Sequence, residues 1–132
     1  MKYSYNWLQK HIEEELPNPS IIASALTMHA FEVEDILDQG LDTVFDIKVL
    51  PLSHKGMALE ISVLLGLTYI KREVSLPAPT LGAFPLAVTD SRQSPRFMGI
   101  LIKDIVVKDS PAWLKESLEI IGQRSINNIV DA

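Results

Sequence analysis

The stretch Phe31-Glu32-Val33-Glu34-Asp35-Ile36-Leu37, then Asp38-Gln39-Gly40, then Thr43-Val44-Phe45-Asp46-Ile47-Lys48-Val49-Leu50 decides how the chain folds. The first run opens with strict apolar and polar alternation, the period of a half-buried strand. Asp-Gln-Gly is turn chemistry. The second run alternates again, with Val44, Asp46 and Lys48 on one face and Phe45, Ile47 and Val49 on the other. Two such runs across a short turn predict an antiparallel hairpin.

Helical periods flank the hairpin. Ser4 is a good N-cap for Tyr5 to Ile12, where Trp7, Leu8, His11 and Ile12 share a face. Pro17-Asn18-Pro19 interrupts. Ser20 opens a second helix over 21–30, with Ile22, Ala25, Leu26 and His29 on one side. Pro51-Leu52 ends the second strand. Ser53 is the expected N-cap of a helix from His54 to Leu65, and Gly66 its stop. Met57, Ile61, Leu64 and Leu65 form its apolar stripe, with Ala58 beside it. Residues 1–73 are thus predicted to be a small α+β unit of winged-helix type.

Residues 74–85 contain three prolines, one glycine and no charge, and read as a linker. Strands are predicted at 86–89 and 97–107. Ser110-Pro111 starts a helix over 111–121, with Trp113, Leu114, Leu118 and Ile121 on its core face. Ile126, Ile129 and Val130 then begin a periodic element that stops after about one turn, so 86–132 is predicted to be the start of a second, truncated α+β domain. Apolar surface is expected to be exposed around Ile100, Ile102 or Ile129, with self-association as the consequence.

Composition excludes several classes. Of 132 residues, 47% are hydrophobic, enough for a globular core. There is no cysteine, which removes disulfides, Cys-ligated metal centres and a thiol nucleophile. No apolar run approaches the roughly 18 residues of a membrane span. Met1 to Trp7 lacks the apolar run and cleavage site of a signal peptide, so the cytoplasm is the expected compartment. The formal net charge is -5. Residues 1–66 hold 4 basic and 10 acidic residues, and residues 67–132 hold 8 and 7. The acidic groups Glu13 to Glu15 and Glu32, Glu34, Asp35, Asp38, Asp42 and Asp46 read as a solvated face. Their spacing is not that of a calcium loop. The same charge disfavours a freestanding winged-helix-like module on nucleic acid, which binds by neutralising phosphates.

No residue of the sequence is assigned a catalytic, cofactor-binding or metal-ligating role. His11, His29 and His54 lack metal-ligand spacing. His11 and His29 read as partly buried helix-face residues with local hydrogen-bond partners. The neighbours Ser53 and His54 invite comparison with a nucleophile and its base, but such pairs are made by geometry and not adjacency; Ser53 reads as a cap. The glycines form no phosphate-cradling loop. Lys71-Arg72 and Arg92…Arg96-Phe97 are the nearest approach to an RNA-binding pattern, and read as loop charges.

Four segments, in order, resemble one family. They are Met1-Lys2-Tyr3-Ser4-Tyr5-Asn6-Trp7-Leu8; Leu26-Thr27-Met28-His29-Ala30-Phe31-Glu32-Val33-Glu34; Leu52-Ser53-His54-Lys55-Gly56-Met57-Ala58-Leu59-Glu60-Ile61; and Ser110-Pro111-Ala112-Trp113-Leu114-Lys115 with Gly122-Gln123-Arg124-Ser125-Ile126-Asn127-Asn128-Ile129-Val130-Asp131-Ala132. Together they are similar to the N-terminal region of the β subunit of bacterial phenylalanyl-tRNA synthetases. The resemblance implies part of an ATP- and Mg-dependent, RNA-binding ligase of protein biosynthesis, partnered by an α subunit and tRNA(Phe). It also implies that this stretch is structural and tRNA-positioning, with neither the aminoacylation nor the editing site.

The departures from the family are specific. Most members insert a roughly hundred-residue OB-fold between the strand runs, where this chain has only Leu37 to Asp42. An "N-R-x-x-D-C"-like loop is missing before Leu52-Ser53. The chain stops before the "T-N-Y-V" and "G-Q-P-x-H-A-F-D" segments that open the editing site.

Overall fold

The computed structural model describes residues 1–48, 52–75, 77, 78, 80, 82 and 85–132. Most of the expected loop at Leu50–Leu52 and part of the expected linker over 74–85 therefore fall outside the described residues. The chain forms two units, one of Met1–Arg72 with Lys108–Ala132 and the other of Glu73–Val107.

The first unit is α+β. Its sheet has three antiparallel strands, β1 (Lys2–Ser4), β2 (Glu32–Asp38) and β3 (Thr43–Lys48), in the order β1-β3-β2. The predicted hairpin is β2-β3. Its turn holds Gly40 at φ 75, a backbone state that favours glycine. The alternation in β2 breaks where two acids stand together. A bulge between Val33 and Asp35 absorbs Glu34, so that Val33 faces Ile47 and Ile36 faces Phe45 across the ladder. Val33 and Ile36 thereby share a face although they are three residues apart. β1 lies on the other side of β3, with Tyr3 opposite Phe45. No strand was expected there. Three residues carry too little periodicity to read, and β1 exists only because β3 offers it an edge.

Three helices complete this part. α1 (Tyr5–Gln9) is capped by Ser4, whose Oγ accepts the Trp7 N–H. It ends earlier than predicted, because Ile12 leaves the helix for a bridge with Tyr69. The Gln9 side chain organises this exit: its amide donates to the carbonyls of Ile12 and Glu14 and accepts the Leu16 N–H at 2.7 Å. α2 (Pro19–His29) begins two residues before the predicted start at Ile21, with its cap at Asn18 in place of the expected Ser20. Pro19 fills the first helical position. It buries Ile22, Ala23 and Leu26, leaving Ala25 half-buried and His29 exposed. α3 (His54–Leu65) has the predicted limits. Ser53 Oγ accepts the Gly56 N–H, and Gly66 closes the helix at φ 66 and ψ 32. The N–H groups of Gly66 and Leu67 both reach the Ser62 carbonyl, the bonding of a Schellman-type stop.

The core joins these elements. Tyr3, Leu8, Ile12, Leu16, Ile22, Leu26, Phe45, Ile47, Met57 and Ile61 are buried together, which places the sheet's Phe45–Ile47 face against the three helices.

Residues 108–132 carry α4 (Ala112–Ile120). Pro111 takes the cap position with extended backbone and no capping side chain, one residue later than predicted. Ser110 is instead turned to Asp131, which accepts its hydroxyl. Asp131 also accepts from Ser125 Oγ and from the Ile126 N–H. Asn128 exchanges hydrogen bonds with Lys108, taking its N–H and donating to its carbonyl. These polar contacts, rather than a further helix, organise residues 123–131.

The second unit corrects two expectations. Residues 86–89 and 97–107 form no strand. Phe97, Met98, Ile100, Ile102, Val106 and Val107 are all exposed, Ile100 at 76%. An apolar run becomes a strand only when a neighbour satisfies its backbone groups, and no paired strand accompanies this one among the described residues. The exposed surface expected at Ile100, Ile102 and Ile129 is present.

Candidate functional site

Two places in the first unit gather side chains that local structure does not require. The first surrounds His54. The N-terminus of α3 brings the imidazole to the start of α1, where Nε2 accepts the Ser4 backbone N–H at 3.0 Å. The ring lies flat on Trp7, with centroids 4.0 Å apart and planes 16° apart, and Tyr3 tilts against it at 5.2 Å. Tyr3 hydroxyl in turn donates to the Leu52 carbonyl at 3.0 Å. An acceptor nitrogen carries no proton, so the fold demands neutral His54. Burial pushes its pKa down to about 4, helped by His11, while Asp42 acts in the opposite direction. His54 is therefore not the base of Ser53. The Ser53 hydroxyl is exposed at its cap, and His54 is turned to Ser4 and Trp7.

Asp42 completes this junction. It is 8% exposed, a correction to its reading as part of a solvated acidic face. Its carboxylate accepts from Ser4 Oγ, from the Asn6 N–H at 3.0 Å and from the Thr43 N–H at 2.8 Å. It therefore ties the entry of β3 to the first turn of α1. One signal was available in sequence: an Asp directly before a strand and after a turn is an Asx-type acceptor.

The other acids divide. Glu14 holds Thr68 through its N–H and hydroxyl, which keeps its carboxyl below the usual range. Asp46 pairs with the terminal ammonium at 3.1 Å, and Glu32 with Lys48 at 3.5 Å. Both are solvated pairs of small energetic weight. Among the described residues no three His, Asp or Glu side chains converge on a point. His11 is half-buried, stacked at 6.5 Å on Tyr69, with its pKa lowered by burial and by Arg72. Arg72 donates to the Lys10 carbonyl, and Arg92 and Arg96 are exposed.

The second place is an open groove beside α2. Two hollows of about 370 and 500 Å³ share Ser24 and Met28. One runs along α2 past Ile21 and Ala25. The other lies between α2 and β2, against Val33, Glu34, Asp35 and Ile36. Sequence periodicity put Ile22, Ala25, Leu26 and His29 on one face of α2; the structure buries Ile22 and Leu26 but leaves Ala25 and His29 lining the first hollow.

Residues 93–132 match the B3/4 domain family. The phenylalanine–tRNA ligase β subunit of Porphyromonas gingivalis is 38% identical over 85 residues, covering 60% of this chain and 10% of the relative. That of Bdellovibrio bacteriovorus is 38% identical over 103 residues, covering 68% and 12%. That of Rhodopirellula baltica is 28% identical over 144 residues, covering 99% and 20%. No solved structure matches the chain. The chain thus spans between a tenth and a fifth of the length of these curated relatives. The Rhodopirellula match runs nearly the whole chain in 144 positions, which leaves no room for an OB-sized insertion between β2 and β3. The B3/4 match and the β subunits that align along the chain together support a fragment of a phenylalanine–tRNA ligase β subunit.

Proposed function

We propose that this chain is a structural, non-catalytic segment of a phenylalanine–tRNA ligase β subunit, corresponding to its N-terminal region. In the whole enzyme it contributes to the ATP- and Mg-dependent charging of tRNA(Phe) in the cytoplasm, beside an α subunit. In this reading residues 1–73 are the N-terminal unit, 74–85 a linker, and 86–132 the start of the following domain. The single observation that carries the reading is the run of matches to β subunits along the chain. The site geometry supports the structural part: His54 Nε2 and the Asp42 carboxylate accept the backbone N–H groups of Ser4, Asn6 and Thr43. A positioning role toward tRNA would act through the whole enzyme, because residues 1–66 carry six more acids than bases.

The test is an assay of the purified chain with phenylalanine, ATP and tRNA(Phe), and separately with tyrosyl-tRNA(Phe). No product is expected from either. Formation of phenylalanyl-tRNA, or hydrolysis of the tyrosyl ester, would overturn the non-catalytic reading. Self-association through the exposed run around Ile100 and Ile102 is part of the same proposal. It is checked by light scattering against concentration, where a constant monomer mass would count against it.

A further inference from the structure

From the groove beside α2, we infer a docking site for an amphipathic helix with a basic flank, supplied by another protein. The inference stands apart from the ligase reading and uses only the shape and charge of this surface. Ile21 and Met28 are two turns apart on α2 and are 51% and 72% exposed. Between them Ser24 and Ala25 are small, so a partner's side chains can enter between the two larger ones, the geometry of ridges packing into grooves. The hollow continues over Val33 and Ile36, which the bulge in β2 has placed on one face. Met28 sits in both hollows, and its flexible thioether suits a surface that must mould to a partner.

Charge and hydrogen bonding choose the occupant. Glu34 and Asp35 line the groove on the β2 side, and neither has a cationic partner among the described residues. An apolar ridge flanked by Lys or Arg would meet both features. An added strand is the poorer fit. The Val33 N–H is already taken by Thr27 Oγ1 at 3.2 Å, and the Ile36 N–H by Asp35 Oδ1 at 2.8 Å, so donors that strand addition needs are occupied. A second copy of this chain fits poorly too. Its exposed amphipathic helix, α4, carries Lys115 against Glu116 and Glu119 and so brings net negative charge.

The test uses the 132-residue chain and a synthetic Leu/Lys peptide of roughly 15–20 residues, long enough to be helical. Controls are a scrambled peptide of the same composition and a Leu/Glu helix. Binding is followed by peptide anisotropy and by the methyl resonances of Met28 and Ile21, with near-UV circular dichroism to verify that each variant folds. The Leu/Lys helix is expected to bind and to shift Met28. Ile21→Lys, Met28→Glu and the double change Glu34→Lys/Asp35→Lys should each weaken it about tenfold, roughly 1.4 kcal/mol. Equal binding of the scrambled peptide would overturn the inference. So would shifts confined to Met98, Ile100 and Ile102, or a Met28 shift that grows with protein concentration alone and reports a second copy.

Discussion

His54 Nε2 accepts the backbone N–H of Ser4 at 3.0 Å across 50 residues of chain. This bond makes one protonation state of one side chain a condition of the fold. In the folded chain the imidazole pKa lies near 4, against about 6.5 when unfolded. The unfolded state therefore binds the proton first as pH falls, and stability rises with pH in this window. The contribution is fully present above pH 6.5, declines as pH falls from 6.5 to 4 and is gone below about 4. Because the ring keeps some contact with water, the loss is on the order of 2 kcal/mol. Urea unfolding at pH 7.5 and pH 5 should show it. His54→Gln, which keeps an acceptor but cannot titrate, should flatten the difference; an unchanged pH slope would sink the assignment.

Asp42 is expected to be the costliest single acid to remove. Asp42→Ala strips three donors of their acceptor, two of them backbone N–H groups. A loss of roughly 2–4 kcal/mol follows from leaving such groups unpaired in a buried site. Asp42→Asn keeps an oxygen for the two N–H groups and should lose less. Chemical denaturation of the two variants checks the order, and equal losses would mean that charge and not hydrogen bonding dominates.

Gly66 is required by its backbone. At φ 66 a Cβ meets no atom within 4 Å but is conformationally strained. Gly66→Ala should therefore destabilise by about 1 kcal/mol, and Gly66→Asn by less, since Asn tolerates this region. Thermal melts of the pair would reveal whether strain or crowding is responsible.

Limited trypsin digestion should cut first after Arg92, Arg96 and Lys103. All three lie exposed in a segment without ladder or helix, and such segments present cleavable backbone at little cost. Early cleavage after Lys10 or Lys48, both in the part of the chain that holds the core, would contradict the folded order described for 1–72.

The hairpin and α3 were legible because each of their determinants is local. Alternation over 43–48 gave β3, Gly40 the turn, and Ser53 with Gly66 both ends of α3. The family was legible for a different reason: four short segments in order are specific where any one is not. The failures are equally physical. Residues 97–107 have the composition of a buried strand, but composition supplies no partner, and without one the run stays exposed and unladdered. Asp42 looked like its acidic neighbours until tertiary structure brought Ser4 and Asn6 to it.

By itself the sequence determined the periodic elements, their caps and the excess of acid in residues 1–66, because propensity, capping and charge act within a few residues. Only the tertiary structure decided that residues 2–4 form a strand, that the bulge at Glu34 aligns Val33 with Ile36 over a groove, and that His54 meets Ser4 and Trp7. Those outcomes depend on contacts between segments far apart in the chain. Their partners are chosen by how the helices and the sheet bury a common core, which no local pattern encodes.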